Sequence, residues 1–256
     1  MLSLSVVCRA AHDLLIPVFY HSTTFPTAAK LSAFISTHNV LEERLRSRFL
    51  LVENVYIGHT PSIRGDLDYT STVWPITAIG QLFWLCRHIK RLTLLYLNAR
   101  KWPKIAHTIP STLESLAIGP IHGHFTPQSL CQQPPLRHFT SIHTPMSDAE
   151  VLDTATYPTM RRFRRIFDPN GMDAMLALDQ IDLLKDSTSL EQSEIVICGS
   201  EEATNAAYVL AKMKLMEMGL EGNKWVVIDP EFRVSWIRLL YNEFQNYRKE
   251  YILQVT

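Results

Sequence analysis

Short apolar segments recur along the chain in the pattern L-x-x-L-x-L, where L is a large apolar residue. The pattern occurs at Val52-x-x-Val55-x-Ile57, Leu92-x-x-Leu95-x-Leu97 and Leu113-x-x-Leu116-x-Ile118, and in shortened form at Leu136-x-x-Phe139 and Met160-x-x-Phe163. A weaker copy is Leu190 followed by Ile195 and Ile197. Successive first residues are 40, 21, 23, 24 and 30 residues apart. The middle three intervals are typical of stacked units that each supply one strand and a helix or turn, whereas the two outer intervals need inserted segments.

The residues around these segments predict helices at both ends. Apolar spacings of three and four predict helices over 3–15, 27–36, 77–88, 171–185, 203–218 and 232–253, the first ended by Pro17. Strands are predicted over 18–25 and 225–228, the latter closed by Asp229-Pro230. Eight of the 14 prolines lie between 100 and 160, which favours short connections there. We therefore predict an α/β fold, a short irregular leucine-rich-repeat-like solenoid with helical ends.

Strand alternation makes one face of the predicted sheet a candidate binding surface. If the consensus apolar positions face the core, the residues between them line the opposite face. Tyrosine and arginine often carry interface energy, and repeat proteins use such a face for partners. We therefore expect one protein-binding surface made of Tyr56, Tyr96, His138, Arg162 and Arg164.

Composition narrows the function classes. Lysine plus arginine equals aspartate plus glutamate at 25 each, so no overall charge draws the chain to nucleic acid or to an anionic membrane. No apolar run approaches the length of a membrane span, and the N-terminus lacks the basic start of a signal peptide. The four cysteines are far apart, which favours reduced, partly buried thiols and a cytoplasmic or nuclear location.

Candidate chemistry is sparse. The phosphate-loop, dinucleotide, zinc-protease and serine-hydrolase motifs are all absent, so no cofactor or catalytic residue is predicted. His122 and His124 lie near Cys131, but without further ligands they are better explained as surface or strand-end residues than as a metal site. Acidic pairs occur at Asp66 and Asp68 in a loop-like stretch, and at Glu201 and Glu202, where they suit a helix start.

The basic run over 161–165 has two explanations. A run of arginines around an aromatic residue could bind phosphate or nucleic acid. The simpler explanation is a strand whose Phe163 faces the core while the arginines stay in water with their stems packed. We prefer the second, because acidic residues elsewhere balance the charge.

The beginning of the chain resembles the end of an F-box. The segment Leu4-Ser-x-Val-Cys8-Arg9-Ala-x-His12-Asp13-Leu-Leu-Ile-Pro17-Val-Phe-Tyr20 is similar to the closing helix of fungal F-box-like proteins and the strand that follows it, and such proteins continue into leucine-rich-repeat-like units. The chain departs from the family in having Ala11 where a tryptophan is common, and in starting inside the closing helix. The resemblance implies a substrate receptor that binds the adaptor of a cullin-type ubiquitin ligase, here with its docking helices missing.

Two regions and three functions follow from these patterns. Residues 1–48 are expected to hold the remnant of the F-box closing helix and an N-terminal cap, and residues 49–256 the repeat-like region with its C-terminal helix. The preferred function is non-catalytic recognition of a protein substrate, whose identity the sequence does not give, by an F-box-like receptor or a relic of one. The alternatives are a stand-alone repeat scaffold with no ubiquitin link and, less favoured, an α/β enzyme with no visible motif.

Overall fold

Eight parallel strands form one sheet in which the order in space is the order in sequence. The computed structural model describes residues 9–38, 47–61, 74–169, 173–184, 187–220 and 226–255. The strands are β1 (Ser22–Phe25), β2 (Asn54–Ile57), β3 (Arg91–Leu95), β4 (Ser115–Gly119), β5 (His138–Ile142), β6 (Arg162–Phe167), β7 (Gln192–Gly199) and β8 (Val226–Phe232). Each strand pairs in parallel with the next, so every connection crosses over to the neighbouring position.

Helices alternate with the strands. The α-helices are α1 (Arg9–His21), α2 (Ala28–His38), α3 (Ile76–Leu85), α4 (Trp102–Ala106), α5 (Asp148–Ala155), α6 (Asp173–Asp179), α7 (Glu201–Glu217) and α8 (Trp236–Val255). Short 3-10 turns occur at Ser47–Leu51, Ala99–Lys101, Pro127–Ser129 and Ile181–Leu184. The described chain is therefore an α/β protein built on an eight-stranded, all-parallel sheet.

Strand register corrects the position of one repeat. Val55 pairs with Leu92, and Leu92 pairs with Leu116, so these three residues occupy equivalent positions. The second unit therefore reads Ile89-x-x-Leu92-x-Leu94, three residues earlier than the sequence pattern suggested. With this change the first residues of the units from Ile89 to Met160 are 24, 23 and 24 residues apart.

The main core lies between the sheet and the helices that connect its strands. Apolar residues at the consensus strand positions, such as Val55, Leu116 and Phe139, pack with residues of α2, α3, α4 and α5. A second cluster continues this layer beneath α6 and α7, where Ile195 and Ile197 meet Leu178 and Leu215. Removing large side chains from water on this scale supplies the main stabilising free energy of the fold.

Most predicted elements are present, but several differ from the prediction besides the phase of the second unit. The helix predicted over 171–185 is α6 followed by the 3-10 turn Ile181–Leu184, and the strand predicted over 18–25 begins only at Ser22. Helix α1 runs through Pro17 to His21, although the sequence placed its end at Pro17; buried Val18 and His21 hold its last turn in place. Helix α5 falls in the stretch for which only short connections were expected. Strand β8 continues through Asp229-Pro230 to Phe232 instead of closing there. The acidic pair Asp66 and Asp68 lies outside the described residues.

Replacing Phe139 tests the central core. Its ring stacks on Phe125 with centroids 4.0 Å apart and lies 5.9 Å from that of Phe163, and the side chain is fully buried. We expect Phe139→Ala to lower the free energy of unfolding by about 3–5 kcal/mol, because a cavity remains. The measurement is urea unfolding followed by circular dichroism. Leu152→Ala, at an exposed position of α5, is the control; equal losses in both variants would contradict the assignment.

Candidate functional site

The C-terminal helix α8 lies across the face of the sheet that the connecting helices leave open. Leu240 and Phe244 of α8 are buried against a set of strand residues on that face: Tyr56, Leu95, Ala117, Ile142, Ile166, Val196 and Cys198. At its first turn, Trp236 contacts Tyr96 at a centroid distance of 5.7 Å. Near its last turns, Tyr251 stacks on His21 at 3.6 Å. The helix therefore runs from the carboxyl ends of the middle strands to the first strand.

An ion pair fixes the middle of α8 to the sheet. Glu243 accepts hydrogen bonds from both terminal nitrogens of Arg164, at 2.5 and 2.7 Å, and Thr140 accepts a third from Nε at 3.2 Å. Burial alone would lower the pKa of Arg164, but these bonds and the charge of Glu243 outweigh it and raise the pKa. Arg164 is thus held as a cation beneath the helix by a bidentate carboxylate.

Beside α8 the sheet face remains open as a cleft of about 310 Å³. Its floor includes a row of residues in register at the start of neighbouring strands: Asn54, Arg91, Ser115, His138 and Arg162. One wall is α8, from which Glu243, Tyr247 and Glu250 line the cleft. The cleft combines cationic, hydroxyl, imidazole and aromatic groups, which suits polar recognition.

Three side chains set the electrostatics of the cleft. The guanidinium of Arg91 lies 4.1 Å from the centroid of the Tyr247 ring, a favourable cation–π arrangement. Arg162 donates from Nη2 to both oxygens of Glu194 at 2.5 and 2.6 Å. Burial lowers the pKa of His138, and the charges of Arg162 and Arg91 lower it further. His138 is therefore mainly neutral at pH 7.

The five side chains expected to form a binding surface lie on or beside this face but differ in exposure. Tyr56 and Arg164 are buried under α8, whereas Tyr96 and Arg162 are half-buried and His138 is exposed. Tyr96 reaches this side because its positive φ of 59° ends the strand alternation. Leu94, which the sequence pattern placed on this face, belongs to the core on the other side, since Leu94 is equivalent to Ile57.

Sequence reasoning missed the groups that complete the cleft. Glu243 and Tyr247 were visible only as parts of an amphipathic helix, and their partners on the sheet could not be read from spacing. Arg91 was overlooked because the second unit was displaced by three residues; the apolar Ile89 was the signal that could have corrected it.

The basic run contributes to both faces of the sheet. Phe163 is in the core as expected, and Arg161 is exposed. The expectation that the arginines all stay in water is wrong for Arg164 and Arg165, which are 7% and 4% exposed. On the side of the connecting helices, Arg165 donates to Gln180 at 2.7 Å and lies 5.2 Å from the Phe167 ring centroid. Alternation therefore distributes one charged run between two buried environments.

A serine and a histidine meet in the core without forming an accessible catalytic pair. The hydroxyl of Ser141 donates to Nε2 of His122 at 2.8 Å, and Nδ1 donates to the carbonyl of Gly123 at 2.7 Å. Both side chains are buried, Ser141 almost completely, so a substrate cannot reach the hydroxyl. The expectation that the histidines are surface or strand-end residues is therefore wrong for His122. Its contacts satisfy a buried polar group.

The other candidate groups have structural explanations. Glu150 accepts backbone hydrogen bonds from Phe125 and Ser147 at the start of α5, and His124 lies 3.3 Å from its carboxylate. Within the described residues no three histidine, cysteine or acidic side chains are placed to hold a metal ion. Burial raises the pKa of both Cys86 and Cys198 to about 12, so these thiols stay protonated. No helix among the described segments has the length and hydrophobicity needed to cross a membrane.

Removing the carboxylate of Glu243 tests the attachment of α8. Glu243→Gln leaves Arg164 buried without its counter-ion, and we expect a loss of about 2 kcal/mol in unfolding free energy, below the ~3–5 kcal/mol of a fully buried pair because Glu243 is 35% exposed. Amide hydrogen exchange in α8 should also quicken. Glu250→Gln, at an exposed position of the same helix, is the control. Unchanged exchange in Glu243→Gln would show that the pair does not hold the helix.

The pH dependence of stability tests the environment of His122. Burial, the largest effect, lowers its pKa from 6.5, so the unfolded chain binds the proton more readily than the folded one. The resulting stability is present above pH 6.5 and is lost as the pH falls below it, at up to about 1.4 kcal/mol per pH unit for one proton. We expect His122→Gln to show a shallower fall between pH 7.5 and 5.5 in urea titrations; identical slopes would contradict this.

Comparison of the chain with models of protein families, with curated proteins and with solved structures finds no match in any of the three. Function is therefore inferred from the geometry of the sheet face and its cleft.

Proposed function

We propose that this chain is a non-catalytic protein-recognition module, with the architecture of a short leucine-rich-repeat-like solenoid. The strand order supports this architecture, because each strand pairs only with its neighbours in sequence. Units 23 or 24 residues long in the middle of the sheet support it further. Helix α1 directly precedes the edge strand β1 and would cap that end of the array.

The observation that carries the proposal is the open part of the sheet face beside α8. Here His138 and Arg162 are reachable, while Tyr56 and Arg164 anchor the helix that forms the wall of the cleft. Tyr96 lies away from the cleft, beside Trp236 at the other end of α8. Aromatic and arginine side chains around a partly enclosed depression are the usual composition of an interface centre. A partner would bind across the strand starts, in contact with α8.

Within this proposal the chain acts as an F-box-like substrate receptor of a cullin-type ubiquitin ligase. Its mechanism is tethering: the α1 region belongs to the adaptor side, and the cleft holds the substrate. The resemblance of residues 4–20 to an F-box closing helix supports the ubiquitin link. The scaffold alternative shares the cleft and lacks the adaptor.

Site-specific crosslinking tests the recognition surface. A photoreactive benzoylphenylalanine at position 138, inside the cleft, should crosslink one protein in cells of the source organism. The same group at exposed position 107, on the side of the connecting helices, is the matched control. Crosslinking at neither position, or equally at both, would overturn recognition by this face.

The half-life of the captured protein then tests the ubiquitin link. For a receptor, we expect the captured protein to be degraded several times more slowly when this chain is deleted, as measured after translation is stopped. An unchanged half-life would overturn the receptor assignment and leave the stand-alone scaffold.

A further inference from the structure

The geometry points to an extended acidic peptide segment as the ligand of the cleft, with two of its carboxylates bound by Arg91 and Arg162. This inference rests on the proposed function and names the chemistry of the partner. The segment would run across the strands, over Ser115 and His138, with α8 along one side.

The spacing of the two arginines sets the spacing of the carboxylates. Arg91, Ser115, His138 and Arg162 are direct neighbours in register on β3, β4, β5 and β6. Neighbouring strands lie about 4.8 Å apart, so the two arginine Cα atoms are separated by roughly 14 Å. An extended peptide advances about 3.3 Å per residue, which places matching acidic residues about four positions apart.

The charges in the row favour an anionic ligand. From Asn54 to Gln192, the row of residues in register contains two guanidinium groups and no carboxylate; Glu194, which pairs with Arg162, lies two residues after Gln192 on β7. Within the described part of the chain, Arg91 forms no ion pair; its guanidinium lies over the Tyr247 ring, which holds the guanidinium without neutralising it. A carboxylate arriving beside Arg91 therefore finds a free cation already held in position.

Arg162 also has donors to spare. Glu194 binds only its Nη2, and 42% of the Arg162 side chain is exposed toward solvent. A guanidinium carries five N–H donors, so a second carboxylate can bind without displacing Glu194. Glu243 is engaged with Arg164, and exposed Glu250 is the acidic group of α8 at the edge of the cleft.

Helix α8 already contacts arginines of the sheet face in the way proposed for the peptide. It lies on the sheet face with one carboxylate, Glu243, on an arginine and one aromatic ring, Tyr247, on another. A peptide whose carboxylates bind Arg91 and Arg162 would make the same kind of contact, two residues nearer the strand starts than the pair of Arg164 and Glu243. His138 lies between the arginines and is mainly neutral, so it can donate a hydrogen bond to the peptide backbone or accept one from it.

Two labelled peptides of equal composition test the inference with the full chain. In Gly-Glu-Thr-Val-Thr-Glu-Gly the glutamates are four positions apart, and in Gly-Thr-Glu-Val-Glu-Thr-Gly they are two apart. Fluorescence anisotropy should show at least fivefold tighter binding of the first peptide, and no binding of its glutamine version. Equal affinities for the two spacings, or no binding of the first peptide at millimolar concentration, would overturn the inference.

Arginine variants locate the binding. Arg91→Gln and Arg162→Gln should each weaken the first peptide at least tenfold. Arg161→Gln makes the same charge change one residue before Arg162, at an exposed position outside the cleft, and should change the affinity less than twofold. Equal weakening in Arg161→Gln would mean unspecific attraction and would overturn the site. Among the residues that the structure describes, Arg91 forms no ion pair, so its variant remains informative if Arg162→Gln is unstable.

The outcome can be separated from that of the proposed function. If position 138 crosslinks a partner but the acidic peptide does not bind, the recognition face stands and the acidic ligand class is wrong. If neither occurs, both fall.

Discussion

A parallel sheet has two faces that must both be protected from water, and this constraint determines the rest of the structure. The connecting helices cover one face along most of the strands. The other face is apolar toward the carboxyl ends of the strands, with Leu95, Ile142 and Val196. Helix α8 covers this part of the face through Leu240 and Phe244. Toward the strand starts the same face carries polar side chains, and there it remains open as the cleft beside the helix. The position of the cleft thus follows from the distribution of apolar residues within each strand.

The arginines of β6 illustrate how such a sheet accommodates charge. Consecutive residues face opposite sides, so Arg164 and Arg165 enter different environments. Each has partners that offset the cost of burial: Glu243 and Thr140 on one side, Gln180 and the Phe167 ring on the other. A buried guanidinium without such partners would be strongly destabilising. Strand β6 therefore needs both α8 and the segment around Gln180 to be in place.

Much of the fold was predictable because the apolar residues repeat locally. Six strands, the helix α3 and the terminal helix follow from spacing alone. Helix α5 was missed although Ser147 and Glu150 form a capping box, a signal readable in the sequence. The phase of the second unit was wrong because Leu92, Leu94, Leu95 and Leu97 offer several apolar alternations, and only pairing with β2 decides among them.

The candidate site was only partly predictable. Its sheet residues occupy the same position in successive repeats of the apolar pattern, and that position can be read from the sequence. The cover provided by α8 could not be inferred, because an amphipathic helix does not reveal which face of a sheet it meets. The contacts Arg164–Glu243 and Arg91–Tyr247 join residues far apart in the chain, and local pattern carries no information about them.

Helix α8 also changes how the sheet can come apart. Strands that pair only with their sequence neighbours can detach one at a time from either edge. Here one helix contacts His21 beside the first strand, Tyr56 on the second and Arg164 on the sixth. Loss of an edge strand therefore disturbs the same helix that covers the middle. We therefore expect the described part of the sheet to open collectively, in one unfolding transition.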